Sequence, residues 1–297
     1  MQLFRKIVSL QLIYYSPMHI FNKQTELVAH LLKVSKPETT IGFVPTMGAL
    51  HAGHISLINA SKNATNVTIC SIFVNPNQFN NKNDLEKYPK TPEKDIEMLK
   101  EAGCDVLLMP SVEEIYPQKD ERVFDFEYLG QVLDGAHRPG HFNGVAQVVS
   151  RLFDIVKPHK AFFGQKDYQQ ALIIKALVKQ LKFNIEIVTC NIVREEDGLA
   201  MSSRNVLLSA EERLAAKTIP ALMQEVVEMK KLGKDISEIK HRVEDKLKAN
   251  KIFKPDYFKI CDAETLKEIN HFNETKNSIA LIACFVGKIR LIDNLIL

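Results

Sequence analysis

Thr40-Ile41-Gly42-Phe43-Val44 runs directly into Pro45-Thr46-Met47-Gly48-Ala49-Leu50-His51-Ala52-Gly53-His54. The first five residues form a short apolar run with β-branched members and read as a strand. A glycine-bearing turn follows, and the pattern predicts a helix over 54–64, opened by two histidines three apart. Free N–H groups and the positive dipole end at a helix N-terminus favour anions. Glycines in such a turn admit a phosphate closely, and histidines offer it donors. The same residues also fit a plain helix cap, because strand–glycine–helix turns abound in α/β proteins. Metal is a third reading, as His51 and His54 would share a helical face. No carboxylate or third histidine follows at zinc-enzyme spacing, however.

Outward from this turn, strand and helix signals alternate over the first two-thirds of the chain. Strands are expected at 40–44, 66–74, 105–109, 160–163 and 185–189, and helices near 21–33, 54–64, 92–102, 144–157 and 168–182. In the last of these, Tyr168, Ala171, Leu172, Ile174, Leu177, Val178 and Leu181 make a core-facing stripe at helical spacing. Near-continuous apolar strands alternating with helices indicate a parallel sheet covered on both faces. Beyond residue 193 the texture changes. Two charged helices, roughly 210–231 and 236–249, precede strand-like runs at 257–262, 279–286 and 289–292, as in a smaller α+β domain.

With 297 residues the chain has room for two domains, 18–192 and 193–297, preceded by an extension or mis-assigned start over 1–17. That start mimics a signal peptide, with Arg5 and Lys6 before an apolar stretch. Ser9 and Gln11 interrupt the stretch, no Ala-x-Ala site follows, and it is too short to span a bilayer. Lysine plus arginine number 39 against 36 aspartates plus glutamates, without a basic tail, so charge demands no nucleic-acid partner. Five scattered cysteines with no CxxC pair fit a reducing cytoplasm rather than a disulfide framework.

Four further segments gather polar residues where an element ends. In a parallel sheet the carboxyl ends of the strands line the binding crevice. Phe73-Val74-Asn75-Pro76-Asn77-Gln78-Phe79 places Gln78, both donor and acceptor, after the second strand, though an Asn-Pro surface turn fits as well. The segment 137–144, with His137, Arg138, Gly140 and His141, reads as a loop that folds over anions or as a basic turn of no catalytic role. In 162–170, Lys166 suits a phosphate, Asp167 a cap or a ribose, and Gln170 projects from the same face one turn on. Salt-bridging at a helix start is the plainer alternative. Finally, Met201-Ser202-Ser203-Arg204 follows an acidic glycine-bearing loop. It fits either a hydroxyl-and-guanidinium cradle for a triphosphate or a helix N-cap.

His51-Ala52-Gly53-His54 resembles the His-x-Gly-His element of the nucleotidylyltransferase superfamily. Met201-Ser202-Ser203-Arg204 is similar to the Lys-Met-Ser-Lys-Ser loop of class I aminoacyl-tRNA synthetases within it. The full set is narrower: 45–54 with 73–79 (FVNPNQF), 88–95 (YPKTPEKD), 138–145 (RPGHFNGV), 163–170 (FGQKDYQQ) and 194–205 (REEDGLAMSSRN) closely resembles the pantoate–β-alanine ligase family. The likeness extends through Asp256-Tyr257-Phe258, Asp262 to Leu266 and Arg290 to Asn294, covering about 18–297.

That resemblance implies a Rossmann-like parallel-sheet nucleotide-binding domain with a smaller α+β C-terminal lid domain, in a cytoplasmic homodimer. It implies condensation of pantoate with β-alanine through a pantoyl adenylate, with ATP as substrate and Mg²⁺ on its phosphates. Carried over residue by residue, Pro45, Thr46, Met47, Gly48, Ala49, Leu50, His51, Ala52, Gly53 and His54 would line the ATP site. Gly164, Gln165, Lys166 and Asp167 would grip adenosine and phosphate, and the Val193 backbone the adenine. Met201, Ser202, Ser203 and Arg204 would close over the triphosphate. His51, His54, Lys166, Ser202, Ser203 and Arg204 would be catalytic, with His54 the family's proton donor and phosphate stabilisation its larger role. Gln78, Gln170, Asn75, Arg138 and His141 would hold pantoate and β-alanine, and Asp95 would help place magnesium.

Lys90 stands where the family usually has arginine, which keeps the charge but not the bidentate fork; Ile289 stands for the usual threonine before Arg290. The paired glutamines suit an uncharged polyol-acid better than a phosphorylated acceptor, which disfavours a nucleotidylyltransferase that only transfers a nucleotide. Intact His54, Lys166 and Arg204 disfavour a non-catalytic ATP-binding protein. A dinucleotide oxidoreductase is excluded, because no GxGxxG follows any expected strand.

Overall fold

The computed structural model of the chain describes residues 18–34, 36–80 and 82–297, so the expected extension over 1–17 lies outside the described residues. Six strands form one parallel sheet: β1 (His19–Phe21), β2 (Ile41–Thr46), β3 (Val67–Ile72), β4 (Val106–Leu108), β5 (Lys160–Gly164) and β6 (Glu186–Cys190). The helices interspersed with them are α1 (Gln24–Val34), α2 (Ala52–Ala64), α3 (Lys82–Glu86), α4 (Pro92–Glu101), α5 (Val112–Ile115), α6 (Asp134–His137), α7 (His141–Val156) and α8 (Tyr168–Gln180).

Side-chain alternation along each strand divides the core in two. Phe43, Ile69, Val106, Leu108, Ala161 and Phe163 meet α1, α7 and α8 on one face. Val44, Cys70, Leu107 and Phe162 meet Leu57, Ile58 and Leu99 of α2 and α4 on the other. Both faces are covered by helices, which is why these strands read as continuous apolar runs.

The strand order is β1-β4-β3-β2-β5-β6. From β2 the chain winds outward through β3 and β4, then returns to the opposite side of β2 to lay down β5 and β6. The winding therefore reverses between β2 and β5. These two pair only at Gly42–Lys160 and Phe43–Ala161, then part. A crevice opens at their carboxyl ends, as it does wherever an open α/β sheet reverses its winding.

The C-terminal third carries α9 (Ala210–Ala216), α10 (Thr218–Lys231) and α11 (Ile236–Lys248), then an antiparallel sheet of β7 (Phe253–Asp262), β8 (Ser278–Val286) and β9 (Ile289–Ile296) in the order β7-β8-β9. Leu222, Met223, Val226, Ile239 and Val243 of the helices pack on Ile260, Ile282 and Cys284 of the sheet.

The structure departs from the expected elements at several places, β7 beginning at Phe253 rather than 257 among them. The first strand, β1, went unread, because three residues carry no measurable period; the helix expected from 21 begins at Gln24. The helix expected over 210–231 is two, interrupted at Lys217. Pro220 has no N–H to give to the carbonyl of Ala216, so the α9 ladder cannot continue through it. Helix α7 begins at His141, three residues early, so His141 is part of a helix rather than of a loop. β9 runs to Ile296 instead of ending at 292, and the added residues include Asp293 and Asn294.

Candidate active site

The turn after β2 is built from backbone. Thr46 Oγ1 donates to the Ser71 carbonyl at 2.8 Å and accepts from the Gly48 N–H at 3.2 Å. Gly48 has φ +81° and Ala49 φ +49°, so two successive residues occupy the left-handed region. Glycine takes that conformation at no steric cost, whereas alanine needs support. Asp95, at the first turn of α4, supplies it: its carboxylate accepts from the Ala49 N–H at 2.9 Å, the Leu50 N–H at 2.8 Å and Thr91 Oγ1 at 3.0 Å. Asp95 is 1% exposed. The magnesium role expected for it is therefore corrected; a carboxylate enclosed by three donors braces the turn and has no path to an ion in the crevice.

Helix α2 starts on His51, whose Nδ1 accepts from the Gly53 N–H at 3.2 Å, while His54 Nδ1 accepts from the His51 N–H at 3.3 Å. With both Nδ1 atoms acting as acceptors, the neutral rings carry their protons on Nε2. Burial and Lys166 depress both, and His51 depresses His54 further. His51 falls to about 4, through burial first and Lys166 second, and His54 to about 3, through burial, then His51, then Lys166. Two neutral N–H donors thus stand at a helix N-terminus.

Around them lies a cleft of about 210 Å³. Pro45, Thr46, Met47, His51, Gly53 and His54 form one wall; Gly164, Lys166 and Asp167, at the end of β5, form the second; Val193 and Met201 to Arg204 form the third. Ser202 caps a tight turn by accepting from the Arg204 N–H at 3.3 Å, and Ser203 Oγ crosses to the Ala49 carbonyl at 3.0 Å. Arg204 is held by Asp84 at 3.0 Å and lies 5.7 Å over the Tyr88 ring.

Gln78 and Gln170 face the same cleft, beside an apolar wall that includes Phe73, Val145, Val149 and Phe163. The Gln78 amide is already oriented: Nε2 contacts Met47 Sδ at 2.9 Å, and Oε1 accepts from Asn75 Nδ2 at 3.2 Å. Asn75 is 1% exposed and also donates to the Gly144 carbonyl and accepts from Tyr116. The expectation of Asn75 as a substrate ligand is corrected accordingly: it orients Gln78 from behind.

Arg138 and His141 border a smaller cavity of about 80 Å³ that shares Met47, Gln78, Lys166, Gln170 and Arg204 with the main cleft. Burial and the Arg138 charge hold His141 down at about 4, so its neutral Nδ1–H donates to the Gln78 carbonyl at 2.8 Å and Nε2 accepts from Arg138 at 3.0 Å. Gly48, Ala49, Leu50, Ala52 and Gln165 are not lining residues; the first three shape the turn, and Gln165 binds Asn294 instead.

This arrangement offers a cationic, donor-rich end for a polyphosphate, a backbone edge for a base, and an apolar pocket with two amides for a small hydroxy-acid. A family model described as pantoate-beta-alanine ligase matches residues 19–296. The chain belongs to the pantoate–β-alanine ligase family.

Among curated relatives of the ligase is the pantothenate synthetase of Porphyromonas gingivalis, 46% identical over 278 residues, covering 94% of this chain and 99% of that protein. Its counterpart from Bacteroides fragilis is 47% identical over 280 residues, covering 94% and 98%. The solved pantothenate synthetase of Thermus thermophilus superposes with a TM-score of 0.88 at 40% identity, covering 94% and 99% of the two chains. That of Francisella tularensis, complexed with beta-gamma ATP and beta-alanine, gives 0.76 at 35% identity, covering 94% and 97%.

Sequence reasoning missed four residues that shape this ligase cleft: Tyr88, Asp84, Arg194 and Asn294. Tyr88 lies within the quoted 88–95 motif and Asn294 ends the quoted stretch from Arg290. The signal in both cases was a polar or aromatic residue inside a recognised motif with no role attached. Among the described residues no helix is long and apolar enough to cross a membrane.

Proposed function

We propose that this ligase activates pantoate with ATP and condenses it with β-alanine to give pantothenate. The observation that carries the reading is the meeting, in one cleft, of Gln78 and Gln170 with the Nε2–H donors of His51 and His54 and the cations Lys166 and Arg204. In the first step a pantoate carboxylate oxygen bonds to the α-phosphorus of ATP while the bridging P–O bond breaks, releasing pyrophosphate. Negative charge grows on the departing phosphates, opposite Lys166, Arg204 and the hydroxyls of Ser202 and Ser203. Donors aimed where charge develops lower such a barrier more than donors recruited from water. The triphosphate also reverses the local electrostatics: its anionic charge raises the affinity of His51 and His54 for protons, as opposite charges do.

In the second step the neutral amine of β-alanine attacks the acyl carbon. The C–N bond forms, the C–O bond to AMP breaks, and the nitrogen sheds a proton. No covalent bond to the enzyme is needed, so positioning carries the rate. Gln78 and Gln170 hold the hydroxy-acid, and the apolar wall excludes water that would hydrolyse the adenylate.

Asp167 is the one carboxylate among the described lining residues. Magnesium fits this donor set when held by ATP phosphate oxygens and water, which is how that ion commonly binds. The segment 193–297 acts as the lid: the Ser203–Ala49 hydrogen bond supports this by linking its nucleotide loop to the β2 turn. A cytoplasmic location, in keeping with the free cysteines, and a homodimer complete the proposal.

Incubation of the protein with ATP, Mg²⁺ and pantoate tests the reading. Pantoyl adenylate is expected without β-alanine, and pantothenate plus AMP with it. Absence of pantoate-dependent ATP consumption would refute the assignment.

A further inference from the structure

Strand β9 reaches two walls of the cleft with consecutive side chains. Asn294, 1% exposed, donates through Nδ2 to the carbonyls of Gln165 and Lys166, each at 2.9 Å, and accepts from Gln165 Nε2 at 3.2 Å. Asp293, 2% exposed, receives the Arg194 guanidinium as a fork, at 2.7 Å from Nη1 and 3.0 Å from Nη2. Arg194 also donates to the Gly198 carbonyl at 3.0 Å and pairs by its backbone with Ala200, so it closes the hairpin that leads into Met201 to Arg204. The Asn294 backbone N–H donates to Asp293 Oδ1 at 2.8 Å, which ties the Asp293 carboxylate to the backbone of its neighbour.

Nothing in their own sheet asks for these residues. Their β8 partners are Leu281 and Ile282, and the sheet core is otherwise apolar. Burying a carboxylate and an amide costs free energy unless each is paired, and apolar residues of the same size would serve the sheet at least as well. Their partners all lie on the two segments that border the phosphate end of the cleft. A bidentate carboxylate–guanidinium pair also fixes orientation, not merely distance.

We propose that Asp293 and Asn294 are positioning residues for adenylate formation: from one strand they set the spacing between Lys166 and the Ser202–Arg204 loop. The inference rests on the ligase reading above. Asn294 fixes the carbonyls of the Lys166 turn, and Asp293 fixes the root of the loop opposite. Neither side chain touches substrate. Their action is greatest at the step in which the triphosphate is cleaved, because Gln78 and the Phe73, Val145 and Val149 part of the apolar wall sit on other elements.

The two half-reactions separate this role from simple stability. Asn294→Asp keeps the volume and one acceptor while removing both N–H donors, and Asp293→Asn removes the charge that holds Arg194. Each is expected to slow pantoate-dependent pyrophosphate release by on the order of tenfold or more, as misplacement of an aligned group does. The KM for pantoate, and the rate at which supplied pantoyl adenylate reacts with β-alanine, should stay within about twofold. Should Asn294→Asp fail to fold, Asn294→Ser carries the same comparison. Unchanged pyrophosphate release in folded variants overturns the proposal, as does an equal fall in both half-reactions. Failure of the unmodified enzyme to make pantoyl adenylate would instead refute the ligase reading itself.

Discussion

The rings of His51 and His54 lie 4.0 Å apart between centroids, with their planes inclined by 40°. His51 makes protonation of His54 unfavourable, and burial and Lys166 do so for both. Folded, they bind protons only near pH 4 and 3 respectively, whereas an unfolded histidine does so near 6.5. Between those values the unfolded chain holds more protons, so stability falls as pH falls. The contribution is fully present above pH 6.5 and drains away toward pH 3. At pH 5 the His54 share amounts to roughly 1–2 kcal/mol, at about 1.4 kcal/mol per pKa unit. His54→Asn should therefore flatten the decline in Tm between pH 7 and 5. An NMR titration of the free protein in which either ring has a midpoint near 6.5 would contradict this.

Gly144 lies against the loop that carries Gln78. A β-carbon there would stand 2.2 Å from the Asn77 carbonyl oxygen and 2.8 Å from Gln78 Cα, and neither backbone atom can yield cheaply. Gly144→Ala is expected to destabilise the fold by about 1–3 kcal/mol, as overpacking does. It should also raise the KM for pantoate more than that for ATP, because Gln78 moves while the phosphate end does not. Denaturant melts and the two KM values check it; a larger shift for ATP would be the wrong outcome.

Asp95 offers a test of bracing against metal binding. If it serves the Ala49 turn, Asp95→Ala strands two backbone N–H groups and costs about 3 kcal/mol, given the strength of hydrogen bonds to a charged acceptor. ATP binding should weaken with it, while the Mg²⁺ concentration that gives half-maximal rate stays where it is. A selective shift of that midpoint, with stability unchanged, would restore the metal role.

Arg204 is held in place by Asp84 and Tyr88 before any substrate arrives. A partly exposed pair of this kind is worth no more than about 1 kcal/mol, so Asp84→Asn should lower the KM for ATP by at most about fivefold. Arg204→Lys keeps the charge but loses the fork, and its expected effect is the opposite and larger, on the order of tenfold in kcat/KM. Steady-state kinetics at fixed pantoate would decide; a lysine variant equal to the parent means that a point charge suffices.

The β2 turn was legible because strand, glycine and both histidines are contiguous, and the periods of 2 and 3.6 switch within a few residues. Lys166 and Gln170 were legible for the same reason at β5. Asp95 was misread because an acidic residue in the first turn of a helix suits the dipole anyway, and nothing local reveals that it reaches back 46 residues to Ala49. Asn75 was expected to hold substrate because it shares a motif with Gln78, and nothing local reveals that its amide is taken up by Gln78 and by the Gly144 carbonyl of α7. The break at Pro220 was available from the sequence and went unused, since a charged helical pattern continued on both sides.

Asn294 and Lys166 are 128 residues apart, yet the first fixes the backbone of the second. That distance sets an order of events during folding. Strands close in sequence, β2 with β3 and β5 with β6, can pair first, and contacts spanning long loops come later because their closure entropy must be met first. The Lys166 turn can take up its strand–helix geometry early, but its final register waits for β9 to dock. A chain clipped ahead of Asp293 would retain the histidines, the lysine and both glutamines, and should still bind a small acid while cleaving nucleotide poorly. Catalytic competence would thus report that the last strand is in place.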